Sequence, residues 1–211
     1  MSLDLRNYRV ESTLKSGNKV IVRAVRSEDA QRLAKYFQEM TPESRYLRFL
    51  GFRNSFTARE LEYITHPNFL EHATIVATLA DGRLDEEIVG EASYISAADG
   101  RNADCALSVL DGQRHQGVGA LLLEHVVRLA EHWGVKQLSA DVLGSNRVAL
   151  EFLVRRGFRP LLVSCGIHRL FRPLSRVGGR HGAQHSPAPD ASSWPELQRT
   201  EDEFSIASAS V

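Results

Sequence analysis

The residues with the clearest chemical potential form one loop, Gln113-Arg114-His115-Gln116-Gly117-Val118-Gly119-Ala120. Gly117 and Gly119 carry no Cβ, so the backbone there can approach a ligand closely. From Val118 onward, apolar residues recur at Leu121, Leu122, Val126, Leu129, Ala130 and Trp133, the spacing of an amphipathic helix. The first N–H groups of that helix have no intrahelical acceptor, and its dipole places about half a positive charge at the same end. Such a site suits an anion, above all a phosphate or diphosphate, and Arg114 could add a charged contact. A helix start that happens to contain two glycines has the same sequence, and the loop alone leaves both readings open.

The elements that must position this loop are legible on both sides. Ala103 to Leu110 has the short, apolar side chains of a mostly buried strand, Asp111-Gly112 turns the chain, and Gly134 stops the helix. Downstream, Gln137 to Leu143 reads as a strand, Asn146 to Arg156 as a helix ended by Gly157, and Arg159 to Val163 and Ile167 to Arg172 as two short strands. Upstream, Tyr8 to Leu14 and Lys19 to Val25 flank a turn and predict a hairpin. Ser27-Glu28-Asp29 opens a helix marked by Ala30, Leu33, Ala34, Phe37 and Met40. Thr41-Pro42 predicts an N-cap followed by a short helix, and Thr57 to Glu60 a capping box before a third. Ala73 to Ala80 and Glu87 to Ile95 then read as antiparallel strands.

Composition narrows the function classes. A chain of 211 residues with 43% hydrophobic content suits one domain with a substantial core, and 26 basic residues balance 26 acidic ones. The basic excess of a nucleic-acid binder is therefore absent. No apolar run approaches the roughly 18 residues of a membrane span, and Met1 to Arg6 lacks the apolar core of a signal peptide, so neither a membrane nor a nucleic acid is expected as partner and the expected location is cytoplasmic. Cys105 and Cys165 both lie in apolar stretches and read as small core residues. From residue 175 to 211 Gly, Ser, Ala, Pro and His dominate, predicting a disordered tail, with Trp194 and Phe204 as its large apolar residues. His181 and His185 have no nearby ligand set, so no metal is expected.

Two phosphate-binding motifs are excluded on spacing. A dinucleotide fingerprint would require a third glycine where Leu122 stands, and a P-loop requires lysine where Val118 follows Gly117.

Taken together, the element order and the Arg114-x-x-Gly117-x-Gly119 loop resemble the GNAT family of acyl-CoA-dependent N-acyltransferases, over about Lys19 to Arg172. Asn146-x-x-Ala149-x-x-Phe152-Leu153-x-x-x-Gly157-Phe158 resembles the family's next helix and its Gly-Phe ending. Thr41 to Phe49, Ala103 to Asp111 and Val142 to Arg147 are similar to segments of the acetyltransferase domain of bacterial Pat-type protein lysine acetyltransferases. The resemblance implies an α/β (α+β) fold: a central mixed, mostly antiparallel twisted sheet flanked by helices, with a V-shaped cleft for acyl-CoA. It divides the chain into an N-terminal hairpin extension at 1–18, the acetyltransferase domain at 19–174, and the tail.

The implied activity is transfer of an acetyl group from acetyl-CoA, as co-substrate, to an amine by direct attack in a ternary complex. A protein lysine is the expected acceptor and a small amine the alternative; a catalytically degenerate acyl-CoA-binding regulatory module is the rival reading. The protein is expected as a monomer or homodimer. By the same resemblance, Val109 and Leu110 would pair with the pantetheine arm, one N–H there serving as an oxyanion donor, and Arg114, His115, Gln116, Gly117, Val118, Gly119 and Ala120 would hold the diphosphate. Asn146 would bond the cofactor, and it is equally suited to be a plain helix N-cap.

An acceptor ammonium with a pKa of about 10.4 must lose a proton before attack. Asp104 stands where the Pat-type domain carries a glutamate base. Aspartate is one methylene shorter and slightly more acidic, so it would act through a water or after burial. Leu153 replaces the tyrosine that many relatives use as general acid, with Tyr46 and Tyr94 as conceivable substitutes. Arg45, Tyr46 and Arg48 lie on a segment that in this family edges the acceptor site, although solvated helix charges are the simpler account of any one of them.

Overall fold

The computed structural model describes residues 5–79 and 86–174; the expected tail at 175–211, with its histidines, Trp194 and Phe204, lies outside the described residues. Eight strands form one sheet in the order β1-β2-β3-β4-β5-β6-β8-β7. They are β1 (Arg9–Thr13), β2 (Lys19–Ala24), β3 (His72–Leu79), β4 (Ile88–Ser96), β5 (Asn102–Val109), β6 (Gln137–Leu143), β7 (Arg159–Ser164) and β8 (Ile167–Pro173). Every neighbouring pair is antiparallel except β5 and β6. Helices α1 (Ala30–Glu39), α2 (Pro42–Phe49) and α3 (Ala58–Thr65) fill the connection from β2 to β3. Helix α4 (Val118–His132) crosses from β5 to β6, and α5 (Arg147–Val154) links β6 to β7. This is the mixed, mostly antiparallel sheet flanked by helices expected from the sequence. Among the described residues no helix is long and apolar enough to cross a membrane.

Strand alternation explains the two layers, because successive side chains point to opposite faces. Val20, Val22, Ala24, Ile75, Ala77, Cys105, Leu107 and Val109 share a core with α4 residues Leu122, Leu123, Val126 and Leu129 and with Ala149 and Leu153 of α5. The opposite face supplies Val25, Val76 and Ile88 to a smaller core with Leu33 and Tyr36 of α1, Met40 just beyond it and Ile64 of α3. Helix α4 approaches β4 so closely that a Cβ on Gly90 would stand 2.8 Å from Leu122 Cδ1 and 3.2 Å from the Ser108 carbonyl oxygen.

The helix starts follow their capping chemistry. The Thr41 hydroxyl accepts from the Ser44 N–H with Pro42 in the first turn, and Thr57 and Glu60 form a reciprocal capping box. Two expectations need correction. Ser27 opens a 3-10 turn (Ser27–Asp29) rather than the helix itself, because Asp29 is drawn inward: its carboxylate accepts from the Arg26 N–H at 2.8 Å and from both terminal nitrogens of the buried Arg23 at 2.6 and 2.9 Å. Cys105 is buried as expected, but Cys165 is exposed, at positive φ in the tight turn from β7 to β8.

Two outcomes follow for stability. Gly90→Ala should cost about 1–3 kcal/mol of unfolding free energy, since a close-packed core gives little room; denaturation at wild-type midpoint would contradict this packing. Burial alone would raise the Asp29 pKa, but the bonds from Arg23 and Arg26 outweigh it and hold it below the usual carboxylate range. The stability this contributes is complete above the unfolded value of about 3.9 and is lost as pH falls through the folded value. Acid titration of the melting temperature should show that loss in wild type, and Asp29→Asn should flatten it.

Candidate functional site

The site begins where the sheet parts. Parallel pairing of β5 with β6 is confined to Asn102–Gln137, Ala103–Leu138 and Asp104–Ser139, whereas β6 pairs with β8 along its whole length. Beyond Asp104, β5 stays with β4 and β6 follows β8, so a wedge opens between them. The Leu110 N–H donates to the Val89 carbonyl at 3.0 Å. Antiparallel alternation then turns the N–H and C=O groups of Cys105, Leu107 and Val109 toward the wedge. Val109 therefore faces the wedge, with its carbonyl already reached by Arg114 Nε at 3.4 Å. Leu110 does not, because its N–H goes to Val89 and its carbonyl accepts from the Gln113 N–H at 2.8 Å, which runs against the expectation that both residues offer backbone to a ligand.

The loop closes the wide end of the wedge. Asp111–Gln113 forms a 3-10 turn that the sequence showed only as a turn signal. His115 and Gly117 then take left-handed conformations at φ 62° and 102°. Among the described residues, the N–H groups of His115, Gln116, Gly117, Val118, Gly119 and Ala120 meet no protein acceptor. Six successive unpartnered donors at a helix N-terminus are an arrangement that can cradle an anion. Val118 is buried and anchors the helix, while Gln116 braces the loop through bonds from its side-chain amide to the Gly112 carbonyl (3.3 Å) and Gln113 (3.2 Å). The two glycines differ. Gly117 is required by its φ, whereas a Cβ on Gly119 would meet Val109, Leu107 and Phe152 only at 3.6–3.7 Å, ordinary contact distance.

Arg114 is turned away from the free ligand role the sequence suggested. Its guanidinium pairs with Asp111 at 3.0 Å, donates to Ser44 Oγ at 3.0 Å and reaches the Val109 carbonyl at 3.4 Å. Asn146 uses its two amide atoms differently. Oδ1 caps α5 by accepting from the Ala149 N–H at 3.1 Å, while Nδ2 is buried and has no hydrogen-bond partner. An orphaned buried donor is costly, so it asks for an acceptor from outside the chain. The capping and ligand roles are compatible because they use different atoms.

Asp104 sits at the apex of the wedge, in the last pair before β5 and β6 separate. Its Oδ1 accepts from Arg169 at 3.3 Å, and Arg169 also clasps Asp141 at 2.8 and 3.0 Å. Its face is the one opposite α4 and carries Ser108, whose hydroxyl accepts from Tyr36 at 2.8 Å. A small cavity of about 20 Å³ there is lined by Tyr36, Arg48, Glu91, Ser93 and Ser108 among others. Arg48 corrects the picture of solvated helix charges: it is buried and paired with Glu91 at 3.1 Å. Tyr46 packs at a tilt against the exposed Phe52, with ring centroids 4.9 Å apart. Tyr94 lies in the α4-side core, donating to the Phe69 carbonyl at 3.0 Å, and burial pushes its phenol well above its ordinary value, so it offers no proton to the wedge. Leu153 is buried in the same core. Sequence reasoning missed Asp111, Ser44 and Glu91; the acid-to-arginine spacing of Asp111 and Arg114 was the available signal for the first. Among the described residues no cluster of three or more His, Cys, Asp or Glu could hold a metal.

An opened β5–β6 wedge with an anion cradle at its mouth defines a class, and comparison places the chain in it. The model of the acetyltransferase (GNAT) family matches residues 33–158, and the chain belongs to that family. The fold matches the GNAT domain of S. lividans PAT with a TM-score of 0.74 at 23% identity, covering 82% of this chain and 99% of that one. An acetyltransferase of Pseudomonas aeruginosa is 27% identical over 153 residues, 72% of this chain and 81% of its own length. Acetyltransferase Pat of Mycolicibacterium smegmatis is 26% identical over 68% of this chain, which spans 42% of that longer protein.

Because the two loop glycines differ, so should their replacements. Gly119→Ala should leave thermal stability within about 0.5 kcal/mol, the usual range for a harmless change. Gly117→Ala should lose roughly 1–3 kcal/mol, the cost of a side chain held at unfavourable φ. Equal melting curves for the two variants would contradict the assignment of backbone need to Gly117 alone.

Proposed function

We propose that the protein transfers an acetyl group from acetyl-CoA to an amine, with a protein lysine as acceptor. The observation that carries the reading is the run of unpartnered N–H groups from His115 to Ala120 at the mouth of the wedge, with the orphaned Asn146 Nδ2 as the second donor. These residues suit a diphosphate and an amide-bearing arm better than any other ligand chemistry. The resemblance of Thr41 to Phe49, Ala103 to Asp111 and Val142 to Arg147 to segments of Pat-type protein lysine acetyltransferases supports a lysine acceptor.

In this reading acetyl-CoA supplies the activated thioester. The loop N–H groups hold its diphosphate. Val109 offers its N–H to the pantetheine arm, and an N–H on the wedge side of β5 polarises the thioester carbonyl. Asn146 Nδ2 donates to the cofactor from the start of α5. Asp104, at the apex, takes the proton of the acceptor ammonium, directly or through a water, and the amine nitrogen then bonds to the acetyl carbon as the C–S bond breaks. A CoA thiol with a pKa near 8.5 leaves as thiolate, so a leucine at position 153 is compatible with turnover.

A second reading, an acyl-CoA-binding module without turnover, is favoured by one observation: the Asp104 carboxylate is shared with Arg169, which competes with an acceptor ammonium for it. The experiment separates the two. Calorimetry should show acetyl-CoA binding in the micromolar to millimolar range, and its absence would remove both readings. With acceptor peptides and amines, released thiol should report turnover. Asp104→Asn should lower kcat by about 10²–10⁴-fold, the usual worth of a general base, while leaving acetyl-CoA affinity in place. Binding without turnover across the acceptor panel favours the module, and wild-type kcat in Asp104→Asn removes Asp104 as base.

A further inference from the structure

A closed ring of polar contacts joins the acceptor-side helix to the candidate cofactor loop across 67 residues of sequence. Asp111 Oδ1 accepts from the Ser44 hydroxyl at 2.8 Å, and Oδ2 accepts from the Thr41 N–H at 3.3 Å. The Thr41 hydroxyl donates to Ser44 Oγ at 2.7 Å. Arg114 completes the ring, pairing with Asp111 at 3.0 Å and donating to Ser44 Oγ at 3.0 Å. Ser44, at the centre of the ring, is only 2% exposed, while Asp111 and Arg114 are half-buried around it. Burial would raise the Asp111 pKa, but donation from Ser44 and Thr41 and the charge of Arg114 bring it below the usual carboxylate range.

The joint is odd for a loop whose N–H groups await an anion. A carboxylate beside the cradle repels a diphosphate, and it engages the arginine that would otherwise attract one. What the arrangement achieves lies on the other side: it ties the first turn of α2, which carries Arg45, Tyr46 and Arg48, to the turn that launches the cofactor loop. We propose that Asp111 is a positioning residue for the acceptor site, holding α2 against the cofactor loop and committing Arg114 to that joint at the expense of cofactor affinity. The inference rests on the acetyl-transfer reading above and assigns residues to its acceptor half.

It makes opposite demands on the two substrates, which general damage to the fold does not. In Asp111→Ala the joint opens and Arg114 is released beside the cradle. The acetyl-CoA Kd should stay the same or tighten, while the acceptor KM rises roughly three- to tenfold, the worth of one or two hydrogen bonds. Asp111→Asn keeps an oxygen for Ser44 and Thr41 and should return the acceptor KM toward wild type. Ser44→Ala, which leaves the Asp111–Arg114 pair in place, should raise the acceptor KM with acetyl-CoA affinity unchanged. Arg114→Gln should weaken acetyl-CoA by less than about threefold, because the guanidinium is already engaged. Parallel loss of both affinities in Asp111→Ala, or a weaker acetyl-CoA Kd alone, overturns the proposal. Should Asp111→Ala not fold, unchanged acceptor KM in Ser44→Ala overturns it instead. A wild type that binds acetyl-CoA but acetylates nothing defeats the acetyl-transfer reading, whereas tighter acetyl-CoA binding by Asp111→Ala still supports the release of Arg114.

Discussion

Everything in this molecule hangs on the parting of β5 from β6 after three parallel pairs. A strand in mid-sheet normally satisfies its backbone on both edges. Here β6 is held along its full length by β8, and β5 by β4, so the two halves of the sheet follow different partners. The gap leaves strand backbone of β5 without a neighbour, which is tolerable only at a surface or beside a ligand. Asp104, Arg169 and Asp141 form a charged clasp across the three strands at the apex of this gap.

The loop at the wide end is shaped by two different needs that share a few residues. Backbone conformation at His115 and Gly117 turns the N–H groups outward, and Val118 locks the helix start into the core. The side chains do other work: Arg114 and Asp111 face α2 and Gln116 braces the turn. The donors left open in this loop are thus backbone ones, as in phosphate-binding loops where glycine permits close approach. The side chains connect that backbone to the layer of α1 to α3.

That layer is more polar than a small core usually is. Arg23 with Asp29, Arg48 with Glu91, and Tyr36 with Ser108 are all buried beneath α1 to α3. Buried pairs contribute little net stability compared with apolar packing, but removing one partner is costly, so they favour a single arrangement of the helices over it. The α4 face, by contrast, is packed with Leu, Val and Ala, and supplies the rigid base on which the loop and α5 stand.

Local chemistry was enough to read the order of elements along the chain, the Thr41 and Thr57 caps and the helix start after Gly117, because periodicity, capping and backbone freedom act over a few residues. Asn146 was legible as a cap for the same reason. Its orphaned Nδ2, the engagement of Leu110 by Val89 and the capture of Arg114 by Asp111 and Ser44 were not, since each depends on partners brought together by the folded chain. Arg48 looked like a solvated helix charge and Cys165 like a core residue because sequence shows residue type but not which side of a helix or turn meets the sheet. The sequence by itself determined the elements and the chemistry each could offer. Only the tertiary structure decided which donors remain open, because hydrogen bonds between distant segments claim some groups and leave others to a ligand.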